Sequence, residues 1–501
     1  MIELKVDAEK MIPSSGREIK GKARRRVALW LYDLRDELFT ALAAEEIDVV
    51  VLLNGESRLV PSYSIHDLYV RSEKVPVVED TGVFSMSDKF LRGYANCICR
   101  LSFIPKTRKH DIFSLGAIGG DNLVDWAAFH CETFRRILLE YGVDEVWLSA
   151  PSHLGLDNAL EFVAGHMGVR TLCFRQSPIA GKFFFSRNSQ PTIESSNLRF
   201  AAYKNGAEPP DLFYMPGRAI PPYQGAALQV DRMRTLLRAP FATHRADAWA
   251  RVYLAMQRRY WAWGLFLMDL LCPQTREVAL RRLCRSLSHR RQLRARRFCS
   301  AVECSRPYVY FALHNEPEAS TSALGGEFTN QADAITALSA VLPSGWLIRV
   351  KENPVQGPMF RDTKFFARLG TLGNVCFVPD EADSDALIDG AAVTATVTGT
   401  VGFEALLRDR PCVHFGDAWY QGFPGAYPFT ADIDLDKLAN ARINRAALDA
   451  AVNARFSAAA DGLIFPRSSA LIPPPIDWSA LMQTTARSLA AISATMNDNA
   501  S

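Results

Sequence analysis

The chain has 501 residues, 48% hydrophobic and 22% charged, with a formal net charge of +3 at pH 7. That length predicts two or three compact units, the composition is that of an ordinary globular protein, and the mild charge argues against a nucleic-acid binder. Ten cysteines are scattered through the sequence, and Cys97 and Cys99 are too close for zinc-knuckle spacing. They read as reduced core thiols, as at Cys173 and Cys412, rather than as a metal or disulfide framework.

Residues 1–26 form a basic arm, with Pro13-Ser14-Ser15-Gly16 followed by Lys20, Lys22, Arg24, Arg25 and Arg26. A flexible solvated tail is expected there, with contact to anionic lipid or glycan as the alternative. No signal peptide is read, since Glu3, Asp7 and Glu9 mix with lysines before any apolar run. The apolar run Tyr260 to Cys272 contains Asp269 and falls short of the ~20 residues that span a bilayer. A cytoplasmic location is therefore expected.

From Val27 the pattern alternates between strand and helix. Strands are predicted at Val27 to Tyr32, Ile47 to Leu53, Val146 to Leu148 and Val169 to Phe174. Helices are predicted at Leu34 to Ala44, Asp125 to Tyr141 and Asn158 to Met167, the last two stopped by Gly142 and Gly168. Residues 27–206 thus read as a Rossmann-like unit. Residues 207–304 read as a helical, arginine-rich linker, either solvated or resting on an anionic membrane. Residues 305–475 read as a second α/β unit, and 476–501 as a terminal helix and tail.

The second unit repeats strand, loop, helix three times, and each loop is polar. His314-Asn315-Glu316-Pro317-Glu318 follows Tyr308 to Leu313, and Lys351-Glu352-Asn353-Pro354 follows Trp346 to Val350. Thr398-Gly399-Thr400-Val401-Gly402-Phe403-Glu404 follows Ala391 to Val397. Ligands of open parallel sheets bind beyond the carboxyl ends of the strands, so the three loops are expected to share one crevice.

In the third loop, Gly399 and Gly402 let backbone approach a ligand closely, and the following helix aims free N–H groups at it. Thr398 and Thr400 add hydroxyls, which suits a phosphate, while Glu404 is placed to bind a ribose or sugar hydroxyl. A tight strand-to-helix turn without a ligand is the alternative. Lys351 offers a cation for phosphate, and Pro354 holds Asn353 extended. Glu316 and Glu318 either bind sugar hydroxyls, transfer protons or are solvated turn residues. His153 and Asp157 sit at a strand exit of the first unit as acceptor-activating candidates. No metal, hydrolase or dinucleotide motif is found.

Taken in order, the three loops resemble those of bacterial capsule-polysaccharide biosynthesis proteins, the family that includes the Kdo transferases building the lipid-linked capsule anchor. That family carries Gln-Pro-Glu, Lys-Glu-His-Pro and Thr-Gly-Thr-x-Gly-x-Glu loops. The corresponding residues here are Glu316-Pro317-Glu318, Lys351 to Pro354 and Thr398 to Glu404, with Asn330-Gln331 and Phe415-Gly416 also alike. The resemblance is clearest over residues 308–420 and fainter over 146–185.

It implies an α/β GT-B fold of two Rossmann-like domains facing a central cleft. It also implies a CMP-activated donor such as CMP-Kdo on the C-terminal half, a lipid-linked or growing glycan acceptor on the N-terminal half, and no metal or cofactor. The expected protein is a glycosyltransferase of surface polysaccharide synthesis, peripheral to the inner membrane. Catalytic candidates are Glu318, Glu316, His153 and Asp157; donor-binding candidates are Lys351, Glu352, Asn353, Pro354, Thr398, Gly399, Thr400, Gly402 and Glu404.

Asn353 replaces the family's His and Glu316 its Gln, and both changes oppose an anionic donor. A non-catalytic glycan-binding or assembly protein, or a transferase using another nucleotide-linked group, are the alternatives.

Overall fold

The computed structural model describes residues 24–30, 36–54, 57–63, 123–177, 181–188, 296–300, 302–316, 318–353, 364–464 and 476–498. It also describes positions 68, 86, 87, 90, 91, 94, 280, 284, 287, 291, 293, 356 and 361. Most of the basic arm, most of the arginine-rich linker, Cys97, Cys99, Pro317 and Pro354 lie outside these residues.

The first sheet holds β1 (Arg25–Trp30), β2 (Ile47–Leu53), β3 (Ser62–Tyr63), β4 (Glu145–Leu148), β5 (Arg170–Gln176) and β6 (Lys182–Arg187). Its order is β13-β6-β5-β4-β1-β2-β3, where β13 is Ala460–Asp461. The links from β1 through β5 are parallel, whereas β6 runs antiparallel to β5 and β13 antiparallel to β6. Both faces of a parallel sheet are covered, so its strands are apolar on both sides. One face packs on α2 (Leu123–Glu140) and α3 (Leu156–His166), through Trp30, Phe134 and Leu160. The other packs on α1 (Asp36–Ala44) and the terminal helix, through Leu38, Trp147 and Leu489. Gly142 and Gly168 end α2 and α3 with φ of 53° and 69°, conformations that cost a side-chain-bearing residue more.

The second sheet is parallel throughout, in the order β12-β11-β10-β7-β8-β9. Its strands are β7 (Tyr308–Ala312), β8 (Leu347–Lys351), β9 (Val375–Phe377), β10 (Val393–Thr396), β11 (Cys412–His414) and β12 (Ala426–Pro428). Alternation along the strands sorts side chains between two layers. Val309, Phe311, Ile348 and Val350 pack toward Ile335 and Phe366 on one side. Tyr308, Tyr310 and Leu347 pack toward Leu387 and Ala405 on the other. The expected fold class, two Rossmann-like α/β units, is the fold observed.

The units are stitched together by the chain's end. A boundary at residue 475 assigns Ala460–Asp461 to the second unit, yet this pair extends the first sheet beside Lys182 and Phe183. The terminal helix Trp478–Asp498 then docks on the first unit. There the Ser493 hydroxyl binds the buried Glu145 carboxylate at 2.7 Å, and Glu145 is ion-paired with Arg25 and Arg170. Phe184 of β6 packs with Trp419 and Phe456 of the second unit.

The expectation of free thiols holds at Cys131, Cys173 and Cys412, which are buried and unbridged. It fails at Cys299 and Cys376, which form a disulfide. A bridge between Phe298 and Phe377 lays the approaching chain along the edge of β9 and brings the two cysteines side by side. They are 77 residues apart, so their spacing carries no trace of the pairing. No helix among the described residues is long and apolar enough to cross a membrane.

Candidate functional site at the carboxyl edge of the second sheet

The three polar loops meet at the carboxyl ends of β7, β8 and β10, joined by hydrogen bonds. His314 sits at the centre of the junction. Its backbone N–H donates to Gln331 Oε1 at 2.7 Å, and its carbonyl accepts from Gln331 Nε2 and from Arg361 Nη2 at 2.9 Å. Its ring Nε2 accepts the Thr398 N–H at 3.1 Å and lies 3.0 Å from the Thr396 hydroxyl. Burial, with Arg361 nearby, brings the imidazole down to a pKa of about 4.

The first and second loops are locked by Gln356. Its amide accepts the Glu316 N–H at 2.7 Å and donates to the Glu316 carbonyl at 3.1 Å. The third loop ties back to the first, with the Thr398 hydroxyl donating to the Ser320 carbonyl at 2.8 Å. Gln331 opens the helix α5 (Gln331–Ala340), whose N-cap Asn330 accepts the Ala332 N–H at 3.0 Å.

Glu316, a catalytic candidate by sequence, is held within the scaffold beneath the loops. Its carboxylate is buried, receives Gln331 Nε2 at 2.7 Å, and lies 3.5 Å from Arg361 Nη1. Glu352, expected at the donor, is also buried and takes the other edge of the same guanidinium, with Nε donating at 2.8 Å. Burial works against the charge of Arg361, and Glu352 and Glu316 more than offset it. Both acids therefore hold the loops together. Asn353 follows, its N–H donating to Glu352 at 2.7 Å.

Lys351 and Glu352 are adjacent in sequence but leave the strand on opposite faces. Lys351 Nζ donates to Ser384 Oγ at 2.7 Å, at the start of helix α7 (Ser384–Gly390). Burial lowers its pKa, while Asp383, Asp380 and Asp385 support its charge. Its ammonium thus sits within the electrostatic reach of three carboxylates of this chain. Glu404 lies on helix α8 (Thr400–Leu407), one turn after Thr400. Burial and Asp385 raise its carboxyl to about 7, opposed by a hydrogen bond from Thr400 and by Arg408.

The glycines have different tasks. A Cβ on Gly399 would stand 2.6 Å from Thr396 Oγ1 and 3.1 Å from the His314 ring, so its bareness admits that ring. A Cβ on Gly402 would stand 2.1 Å from Tyr420 Oη and 2.5 Å from Cys412 Sγ. The close approach at Gly402 that a side chain would block is to the protein's own core.

In the first unit, Asp157 is 1% exposed and accepts N–H groups of His153, Leu154 and Asn158 at 2.8, 2.7 and 3.0 Å. It shapes the β4–α3 loop, and its Oδ2 lies 3.7 Å from His153 Nδ1, so the two candidates of the first unit stand together. His153 Nδ1–H donates to the Pro151 carbonyl at 2.7 Å. The Glu318 carboxyl sits within the electrostatic reach of His153 and accepts Asn315 Nδ2 at 3.0 Å; loss of water around it raises its pKa. Beside the third loop lies a shallow cavity of about 270 Å³, lined by Phe415, Gly416, Asp417 and Phe429.

Sequence reasoning missed Gln356, Arg361 and Thr396 as organisers of the site, and it marked Gln331 only through its likeness to the family, with no role. Among the described residues no group of three or more His, Cys, Asp or Glu is placed to hold a metal ion.

Comparison with known proteins adds the following. A model described as "Capsule polysaccharide biosynthesis protein" matches residues 299–459, the span that holds all three loops. No curated protein matches the sequence. Among solved structures, the beta Kdo 2,4 transferase KpsC of Thermosulfurimonas dismutans is 14% identical, covering 64% of this chain and 80% of its own, with a TM-score of 0.28. The beta Kdo 2,7 transferase KpsC of the same organism is 12% identical, covering 71% and 87%, with a TM-score of 0.27. The UDP-GlcNAc 2-epimerase of Methanocaldococcus jannaschii, in complex with UDP-GlcNAc and UDP, is 12% identical, covering 85% and 93%, with a TM-score of 0.25. Residues 299–459 of this chain are thus similar to the capsule polysaccharide biosynthesis protein family.

Proposed function

We propose that the protein is a glycosyltransferase of capsular or surface polysaccharide synthesis that uses a nucleotide-activated sugar. The observation that carries this reading is the meeting of three family-like loops at one sheet edge, joined by hydrogen bonds through His314, Gln356 and Thr398. The Thr400 and Val401 amides that open α8 precede its first intrahelical bond, made by Gly402 N–H, and favour an anion such as phosphate. The cavity beside Phe415 and Phe429 offers apolar faces to a base. In the reaction, the bond from sugar carbon to nucleotide phosphate breaks, and the nucleotide leaves with the electron pair. An acceptor oxygen forms the new bond, and its proton passes to Glu318. A carboxyl with a raised pKa is the better base at neutral pH.

The donor is proposed to be CMP-linked, with Kdo as the first sugar to try, and the acceptor a glycan or glycolipid. Peripheral contact with the inner membrane is proposed for the arginine-rich segment, where Leu280 and Leu287 are exposed. The test is sugar transfer to glycan acceptors from a panel of nucleotide sugars. Glu318→Gln is expected to lose about 10²–10⁴-fold in rate while keeping nucleotide affinity. Unchanged transfer by a folded Glu318→Gln protein would remove Glu318 from the chemistry.

A second reading is favoured by one observation: Lys351 donates to Ser384 with Asp380, Asp383 and Asp385 in electrostatic reach, and a neutral asparagine stands at 353. It makes the protein a glycan-binding or assembly component of a capsule complex, binding glycan but no nucleotide. Selective stabilisation by CMP in a thermal-shift titration would exclude it.

A further inference from the structure

Among the described residues, His314 is held on every side except one. Backbone N–H and C=O are both taken by Gln331, and the carbonyl also by Arg361. The Thr398 amide can only donate, so ring Nε2 is the acceptor and carries no proton. The Thr396 hydroxyl, which accepts the Gly399 N–H at 3.1 Å, turns its own hydrogen to the same nitrogen. The ring proton therefore resides on Nδ1. That atom has no protein partner among the described residues, and it is not among the buried orphan groups. Cε1, beside Nδ1 in the ring, would lie 3.1 Å from a Cβ on Gly399, the residue that caps α8.

We infer that His314 is a ligand-binding residue of this crevice, locked as the Nδ1–H tautomer and presenting an uncharged donor to a phosphate or carboxylate oxygen of the nucleotide-linked substrate. This inference rests on the nucleotide-sugar reading above. It places an imidazole in the first loop of a chain whose second loop has Asn353 in the family's histidine position. With its basic nitrogen occupied and its charged form opposed by burial and Arg361, the ring stays neutral through the range in which an ordinary histidine titrates. The charged group that faces it is Arg361, which donates to its carbonyl and is itself ion-paired with Glu316 and Glu352.

The experiment measures dissociation constants of the full chain for CMP and UDP by calorimetry, from pH 5.5 to 8.5. Asn places its amide nitrogen where Nδ1 stands, whereas Gln places it where Nε2 stands. His314→Asn is therefore expected to bind within about threefold of the wild type, and His314→Gln and His314→Ala about ten- to hundredfold more weakly. The ratio of His314→Gln to wild-type constants is expected to stay flat across the pH range. The ratio isolates His314 from Glu404 and Glu318, which titrate in both proteins.

Equal affinity of the wild type and His314→Gln would overturn the inference while leaving the nucleotide reading in place. A ratio that changes tenfold between pH 6 and 7.5 would also overturn it, since the imidazole would then be acting through its charge. A wild type that binds neither nucleotide would overturn the nucleotide reading, and this inference with it. If His314→Ala does not fold, the Asn and Gln pair decides alone.

Discussion

Arg361 Nη1 lies 3.5 Å from Glu316 Oε1, while the opposite edge of the same guanidinium grips Glu352. The carboxylate that stands where the family has glutamine is therefore matched inside the protein. Its charge, which the sequence alone counts against an anionic ligand, is directed into the scaffold beneath the loops.

Arg361→Met would leave two buried carboxylates without their cation. A loss of about 3–5 kcal/mol is expected in chemical denaturation, because the uncompensated charges and not only the lost contacts set the cost. Adding Glu316→Gln should recover part of it. An Arg361→Met protein as stable as the wild type would show that another group orders these loops.

Glu404 gives a pH signature. Its carboxyl is raised from 4.5 to about 7 in the folded state, so the folded protein holds this proton more tightly than the unfolded chain. The resulting destabilisation is absent below pH ~4.5, grows as pH rises, and is complete above ~7. Glu404→Gln should match the wild type near pH 4.5 and exceed it by about 1–3 kcal/mol at pH 8. Denaturation curves at the two pH values read this directly; an identical gap at both would point to a packing effect.

Gly402→Ala drives a methyl group against Tyr420 Oη and Cys412 Sγ. A cost of about 1–3 kcal/mol is expected for such overpacking. Because Tyr420 donates to the Gly399 carbonyl at 2.7 Å, the same change should displace the third loop and weaken nucleotide affinity. Thermal melting and ligand titration of one variant measure both.

The Cys299–Cys376 bridge closes a span of 77 residues at the edge of the second sheet. Cys299→Ser is expected to lower stability by about 2–4 kcal/mol relative to the oxidised protein. Reducing agent should lower the wild type to the same level and leave the variant unchanged. A wild type indifferent to reductant would mean that the thiols are unpaired in solution.

What the sequence determined by itself was local. Apolar runs of three to seven residues separated by helical periodicity gave the strand–helix alternation of both units, and Gly142 and Gly168 marked where helices stop. The polar strand exits identified the three loops, because nothing in a core requires His314, Glu318, Lys351 or Thr398 there. Only the tertiary structure decided what those residues meet. Lys351 and Glu352 part to opposite faces because a strand alternates its side chains, so one joins Ser384 and the other Arg361. Arg361 stands nine residues beyond Glu352 with no periodic signal, and Cys299 finds Cys376 across 77 residues. Likewise, Ala460–Asp461 joins the first sheet through pairing with a strand almost three hundred residues earlier. Local propensity is written in neighbouring residues, whereas charge compensation, disulfide pairing and sheet edges depend on which distant segments the fold sets side by side.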